Sequence, residues 1–568
     1  MLSHTSTFPG IPAMLVNPPE RRIRPGSTTT FPPIDTLLFS FQQRAAQDGH
    51  EVTTITTLPV ELLIEILKEV EFMDVLHIRQ PHKSCKTCKS LVEVTTAKPI
   101  WTNLLWECER SSPGILTLEK PADLYSSKEL EHLVLVWEST RIGWRTADDT
   151  PSRQRTIHLD QSSSYDSCPQ GSRFYEAVYL VPGGRWLLVL YIGGGIAYYD
   201  LDSTQYEDKR ILVPDCTRHT VANGDVVFAV DIPDRLPMRC FKLAQYIRGY
   251  CDTDGTQYPC IKIWSIEFVV EGQVVTGMRA DCLRTLFVNS AYCDNSQMSV
   301  SLRGEYLAFV VRGPYPTPFY VAGKPYVFVV DWICVEDRSW DYPRRILYTD
   351  EPKEIHLLSN ERLVAVVRSG VWVYDFSSLD SNNAMPEVTP PPPTIVSPTS
   401  LLKYSLPLNV GFSAPLSSRD NTTFLALADP ALHSITVSDD FGTPRSSESS
   451  FKSVRELMVV PIFDYCDKLP GPRYCLGRRH GILQRMNRDT QSTDLILLEY
   501  HPTERIAPDY VPVVKSIPIP CRNFNCLHEV TSHNLLLDEG SGRAIAPLNT
   551  HFEVVDFALV HKRYQHTA

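Results

Sequence analysis

At 568 residues the chain is longer than one hydrophobic core ordinarily serves. Its 43% hydrophobic and 21% charged residues exclude global disorder. The formal charge of -11 excludes a nucleic-acid binder that works by bulk phosphate neutralisation, so no nucleic-acid partner is expected.

Met1–Asn17 lacks a basic run followed by a clean apolar stretch, and the 15 cysteines are odd in number and scattered. Both read as a reduced, intracellular chain, cytoplasmic or nuclear, without a secretory leader. The most apolar stretch, Val178–Tyr199, is long enough to span a membrane but holds Pro182, Arg185 and a set of glycines. It reads as two strands around turns, and no membrane contact is expected.

Four domains follow from composition, in chain order. Residues 1–50 are rich in Pro, Ser and Thr, with a basic knot at Arg21-Arg22-Ile23-Arg24, and read as disordered. Residues 51–110 carry a helical pattern, 111–145 a helical linker, and 146–568 strand grammar: short β-branched or aromatic runs bounded by Gly, Pro, Asn or Asp. Within the last, 377–400 holds Pro390-Pro391-Pro392-Pro393 and reads as a loop, and Ser446–Ser450 is a smaller polar insert.

The helical pattern opens at Leu58-Pro59-Val60-Glu61, where Pro59 suits a first turn and Glu61 complements the positive helix end. Leu62, Leu63, Ile66, Leu67 and Val70 then form a wide apolar face. Asp74 is expected to N-cap a short helix with Val75, Leu76 and Ile78, ending before Pro81. Ile100, Trp101, Leu104 and Leu105 make another apolar face after Pro99. Ser126-Ser127-Lys128-Glu129 is a capping box ahead of the stripe Leu130, Leu133, Val134 and Trp137. Helices this short bury too little to be robust alone, so their apolar faces pack either on the following domain or on another chain.

Read together, Leu58-Pro59-Val60-Glu61-Leu62-Leu63, Asp74-Val75-Leu76-His77-Ile78-Arg79, Thr87-Cys88-Lys89 and Ile100-Trp101 resemble an F-box, covering about Thr57 to Leu105. With the long β region behind it, the layout resembles F-box proteins of mushroom-forming fungi. In the family the arginine-bearing helix runs straight into a Thr-Cys-Lys stretch. Here Pro81-His82-Lys83-Ser84-Cys85-Lys86 intervenes: either the loop is longer, or the coding sequence retains a few codons of intron.

In the β region, several strands end in a shared idiom of two apolar or aromatic residues, a small polar residue and another apolar one. The instances are Tyr198-Tyr199-Asp200-Leu201, Ile263-Trp264-Ser265-Ile266, Val329-Val330-Asp331-Trp332, Val373-Tyr374-Asp375-Phe376 and Val554-Val555-Asp556-Phe557. Propeller blades take ~40–50 residues. The step from Trp264 to Val330 is then one blade with an insert, and that from Tyr374 to Val555 about four. The fold class expected is α+β multidomain: all-α F-box helices, then a large all-β domain, a degenerate β-propeller of six to eight blades rather than a sandwich pair.

No catalytic residue, metal site or cofactor is expected. Cys85-x-x-Cys88 is half a zinc set, and Cys521, Cys526, His528 and His533 lack metal-ligand spacing. Asp252-Thr253-Asp254-Gly255 lacks the later positions of a calcium loop, Gly193-Gly194-Gly195 reads as a hairpin turn, and Arg478-Arg479-His480 as a solvated turn rather than a phosphate grip. The resemblance implies the substrate-receptor subunit of an SCF-type ubiquitin ligase. Leu58, Pro59, Leu62, Leu63, Ile66, Val75, Leu76 and Ile78 would dock on a Skp1-like adaptor, with cullin and RING subunits reached through it, while the β domain holds a protein substrate. Two other classes fit the same pattern: a propeller enzyme with a central-channel site, and an F-box scaffold outside ubiquitin transfer.

Overall fold

The computed structural model describes residues 58–560 apart from internal segments, the longest being 160–174, 313–324, 382–399, 439–450, 460–473, 501–513 and 520–534. The expectations placed on residues 1–50, 81–86, Cys88, 252–255, 446–450 and Cys521–His533, and on nearly all of the Pro-rich loop, lie outside the described residues or side chains. The chain divides into two compact units between Thr95 and Thr96.

The first unit holds three helices: α1 (Val60–Lys68), α2 (Phe72–Arg79) and α3 (Thr87–Thr95). Pro59 stands just outside α1 with extended backbone, and its carbonyl accepts the N–H of Leu62 and Leu63. Asp74 is not the N-cap expected of it. The helix starts two residues earlier, the Glu71 carbonyl accepts the N–H of Asp74 and Val75, and Asp74 sits in the first turn, where its charge still suits the dipole. Leu63, Leu67, Val75 and Val94 form the interior. Arg79 ties α2 to the end of α3 by donating Nε to Thr95 Oγ1 at 2.8 Å and Nη2 to Thr95 O at 2.7 Å, which satisfies a terminal helix carbonyl.

The second unit begins with α4 (Lys98–Ser111) and α5 (Ser127–Arg145). Ile100, Trp101, Leu104 and Leu105 are all buried, as their spacing requires. The capping box forms as expected: Ser126 N–H donates to Glu129 Oε2 at 2.7 Å and Glu129 N–H to Ser126 Oγ at 3.3 Å.

Seven antiparallel sheets follow among the described residues, six of four strands and one of five. In chain order they are blade 1 (Tyr175–Val213), blade 2 (Val227–Phe287), blade 3 (Val300–Tyr348), blade 4 (Pro352–Lys403), blade 5 (Gly411–Val459), blade 6 (Tyr474–Ile519) and blade 7 (Leu536–Asp556). The outer strand of blade 7 is Arg153–His158, from ahead of blade 1. An apolar cluster lies between each consecutive pair of blades, and two of them join blade 6 to 7 and blade 7 to 1. Seven sheets with seven interfaces, the last returning to the first, make a closed propeller, in which every flat face is buried against a neighbour.

The shared idiom is the end of a blade's third strand. The residue after it donates its N–H back to the turn before the second strand: Leu201 to Arg185, Trp332 to Glu305, Phe376 to Glu361, Tyr500 to Arg479 and Phe557 to Gly542. Blade 2 shows the same bond from Phe268 to Arg239, so its idiom is Ile266-Glu267-Phe268, two residues beyond the one expected from Trp264. The long step from Tyr374 to Val555 passes through Val437 and Leu498, which are its equivalents in blades 5 and 6. It therefore spans three blades, not four. The apolar stretch Val178–Tyr199 supplies parts of three strands rather than two, and no described helix is long and apolar enough to cross a membrane.

The two helices of this unit lie against the turns between first and second strands of blades 1, 6 and 7. Trp144, near the end of α5, is stacked between His480 of blade 6 (centroids 4.7 Å apart) and Phe557 of blade 7 (4.4 Å). One residue earlier the approach is closest: a Cβ on Gly143 would stand 2.0 Å from the Phe557 carbonyl oxygen. Gly143→Ala must therefore push α5 off the ring. We expect a loss of about 1–3 kcal/mol, the usual cost of overpacking, read as a lower unfolding midpoint with the far-ultraviolet spectrum unchanged. A midpoint equal to wild type would mean that the helix is loosely held.

Candidate docking surfaces and the clasp between helices and ring

The eight residues singled out in the first unit separate by exposure. Leu62 is 50% and Ile66 42% exposed, and Pro59 is exposed beside them. These three share one side of α1, a turn apart. Leu63 and Val75 are buried, while Leu58, Leu76 and Ile78 are half-buried. Val60 and Met73 are further exposed apolar side chains of this unit. The apolar face of α1 is thus wider than the unit covers: Leu63 and Leu67 face inward, and Leu62 and Ile66 remain in water.

In the second unit, polar chemistry concentrates where the helical segment meets the ring. Glu119 accepts Arg185 Nη1 at 3.0 Å and the indole N–H of Trp186 at 2.9 Å. Arg185 also makes a fork on Asp200, at 3.0 and 2.7 Å. Burial works against the charge of Arg185, but Glu119 and Asp200 outweigh it and hold the guanidinium above its ordinary value. Lys120, itself buried, pairs with Glu129 of α5 at 2.7 Å and donates to the carbonyl of Gln273 in blade 2. Leu118 O accepts the N–H of Met238 at 2.8 Å.

Arg478-Arg479-His480 is not the solvated turn expected. Its three backbone N–H groups donate to the Glu539 carboxylate at 2.7, 2.7 and 2.6 Å, and His480 Nδ1 lies 3.3 Å from Oε1. Such a nest binds anions, and here the anion is the chain's own. Burial raises the Glu539 pKa, but His480 and the N–H groups together bring it below the usual carboxylate range. Next to it, burial holds Asp538 above that range despite bonds from Ser541 and Gly183. Arg479 Nη2 also donates to Ser111 O, at 3.1 Å, tying the end of α4 to blade 6.

Blade 7 is held shut by a buried charge cluster. Asp556 accepts Arg155 Nη2 at 2.9 Å from the outer strand and Arg543 Nε at 2.6 Å from the second. Burial, with Arg543 alongside, pushes Arg155 down to about 10 against the pull of Asp556. Arg543 reaches into blade 1 at Asp202 (3.1 Å) and Arg155 at the Leu201 carbonyl. None of Glu119, Glu539, Arg155 or Arg543 was singled out by motif, because their partners lie far off in sequence.

Among the described residues no group of three His, Cys, Asp or Glu side chains could hold a metal. Burial pushes the Cys108 and Cys475 thiols up to about 12, so neither is a thiolate at neutral pH.

No protein-family model matches the chain, and no curated protein does. Solved structures similar to it include the WD40 domain of SCAP from fission yeast, at 10% identity and a TM-score of 0.33, covering 68% of this chain and 85% of that one. The Cps50 (Swd1) β-propeller domain of Myceliophteria thermophila is similar at 11% identity and a TM-score of 0.38, covering 71% and 99%. A chain of the mitotic checkpoint complex follows at 9% and 0.34, covering 73% and 97%.

Proposed function

We propose that this chain is the substrate-receptor subunit of an SCF-type ubiquitin ligase, docking on a Skp1-like adaptor through its first helical unit and holding a protein client on the propeller. The observation that carries the reading is the uncovered side of α1: Leu62 and Ile66 stand in water on a helix whose other apolar side is already packed, with Pro59 exposed just ahead of it. Leaving Leu or Ile exposed forgoes roughly 1.5–3 kcal/mol each, which a helix-in-groove partner would recover. Leu63 and Val75 then act behind the surface, shaping the unit rather than touching the adaptor. The chain lends no nucleophile; it brings client and charged E2 together, and the rate gain is effective concentration.

The test is co-expression with a Skp1-type adaptor and tagged purification. Leu62→Asp with Ile66→Asp is expected to lower retention roughly tenfold or more, about 1.4 kcal/mol, while helix content stays at the wild-type level because both sites are exposed. Failure of the wild type to retain adaptor, or equal retention by the double variant, would remove the reading.

A further inference from the structure

A cavity of about 190 Å3 lies between α5, the segment 115–125 and the turns of blades 1, 2 and 7. Its apolar lining comes from Leu116, Leu133, Val136 and Trp137 together with Val274 and Val275. Two partly or fully buried ion pairs also line it, Lys120–Glu129 at 2.7 Å and Arg185–Glu119 at 3.0 Å. Gly540 and Ser541 stand at the blade 7 wall, where the Ser541 N–H donates to Asp538 Oδ2 at 2.8 Å.

Small-molecule sites have this plan: a pre-formed apolar hollow with a few placed polar groups. Size narrows the ligand. An apolar cavity of about 150 Å3 takes up benzene, so this one admits a somewhat larger ring system but not a drug-sized molecule. Aromatic character is favoured, since Trp137 and Tyr125 both line the space. The charges are already paired with one another, so a further full charge would meet no free counter-ion there and would have to be desolvated.

The geometry points to a binding site for a small, uncharged, planar aromatic molecule of indole size. A ligand there touches α5, the preceding segment and three blades at once, so it tightens the attachment of the helices to the ring. The site is independent of the adaptor-docking reading, and neither stands or falls with the other.

The experiment is thermal unfolding of the full chain with millimolar indole, phenol or the charged control benzoate, alongside hydrogen exchange in α5. Indole is expected to raise the midpoint by several degrees and to slow exchange across Ser127–Arg145, while benzoate does neither. Leu133→Trp, which places the ring covalently, is expected to raise the unliganded midpoint or leave it unchanged, and to abolish the response to indole. If that variant misfolds, Val136→Phe serves the same purpose from the next wall position. No midpoint shift with indole or phenol up to their solubility, or an equal shift in wild type and a folded filled variant, overturns the proposal.

Discussion

Asp556→Ala is expected to cost about 3–5 kcal/mol, the usual consequence of removing one member of a buried ion pair. Asp556 is 1% exposed and is shared by two buried guanidinium groups. Without it Arg543 keeps Asp202 and the Gly184 carbonyl, and Arg155 keeps the Leu201 carbonyl and the Tyr206 ring beside a like charge. Because the three side chains sit on the outer, second and third strands of blade 7, the loss falls on the closure of the ring. Chemical denaturation monitored through tryptophan emission checks the magnitude. Replacing all three charges by Met or Leu is expected to regain most of the loss, since well-packed apolar residues replace buried triads at little cost. A single-variant loss below about 1 kcal/mol would place the cluster in water rather than in the interior.

Glu119→Ala carries the second large effect, about 3 kcal/mol, because it removes two hydrogen bonds to a charged group, each worth roughly 1.5–3 kcal/mol, only part of which relaxation recovers. Trp186 would be left with a buried N–H and no acceptor, while Arg185 would retain its fork on Asp200. The damage is therefore local. Hydrogen exchange should accelerate in residues 115–125 and in α5 and stay unchanged in blades 3–5. Glu119→Gln keeps an acceptor for Trp186 and is expected to lose about half as much, on the scale of one charge-assisted bond. Uniform acceleration across every blade would mean that the segment is part of the ring's own stability.

What could be read from the sequence was local. The helix at Val60–Lys68 and the capping box at Ser126 declare themselves in three or four adjacent residues. The blade idiom was legible because the residue after the third strand, besides donating its N–H across the turn, buries its side chain and is therefore apolar or aromatic. Blade 5 broke the reading with Val437-Ser438-Asp439, which ends on a charged residue, and blade 6 with Leu498-Glu499-Tyr500, whose polar member is long. Asp74 misled because the helix was already opened by the Glu71 carbonyl, three residues earlier. The clasp was invisible for a different reason. Glu539 meets Arg478 from 61 residues away and Arg155 meets Asp556 from 401, and no periodicity links such pairs.

The strand Arg153–His158 has a further consequence, for synthesis. It leaves the ribosome before any blade and finds its partner His551–Asp556 only about 400 residues later. At ~5–20 residues per second that interval is roughly 20–80 s, during which an unpaired edge with alternating buried positions is open to wrong neighbours. The first helical unit is already made throughout this wait, while α4 and α5 still lack the blades they pack on, so the earliest part able to meet another protein is born well before the ring can lock.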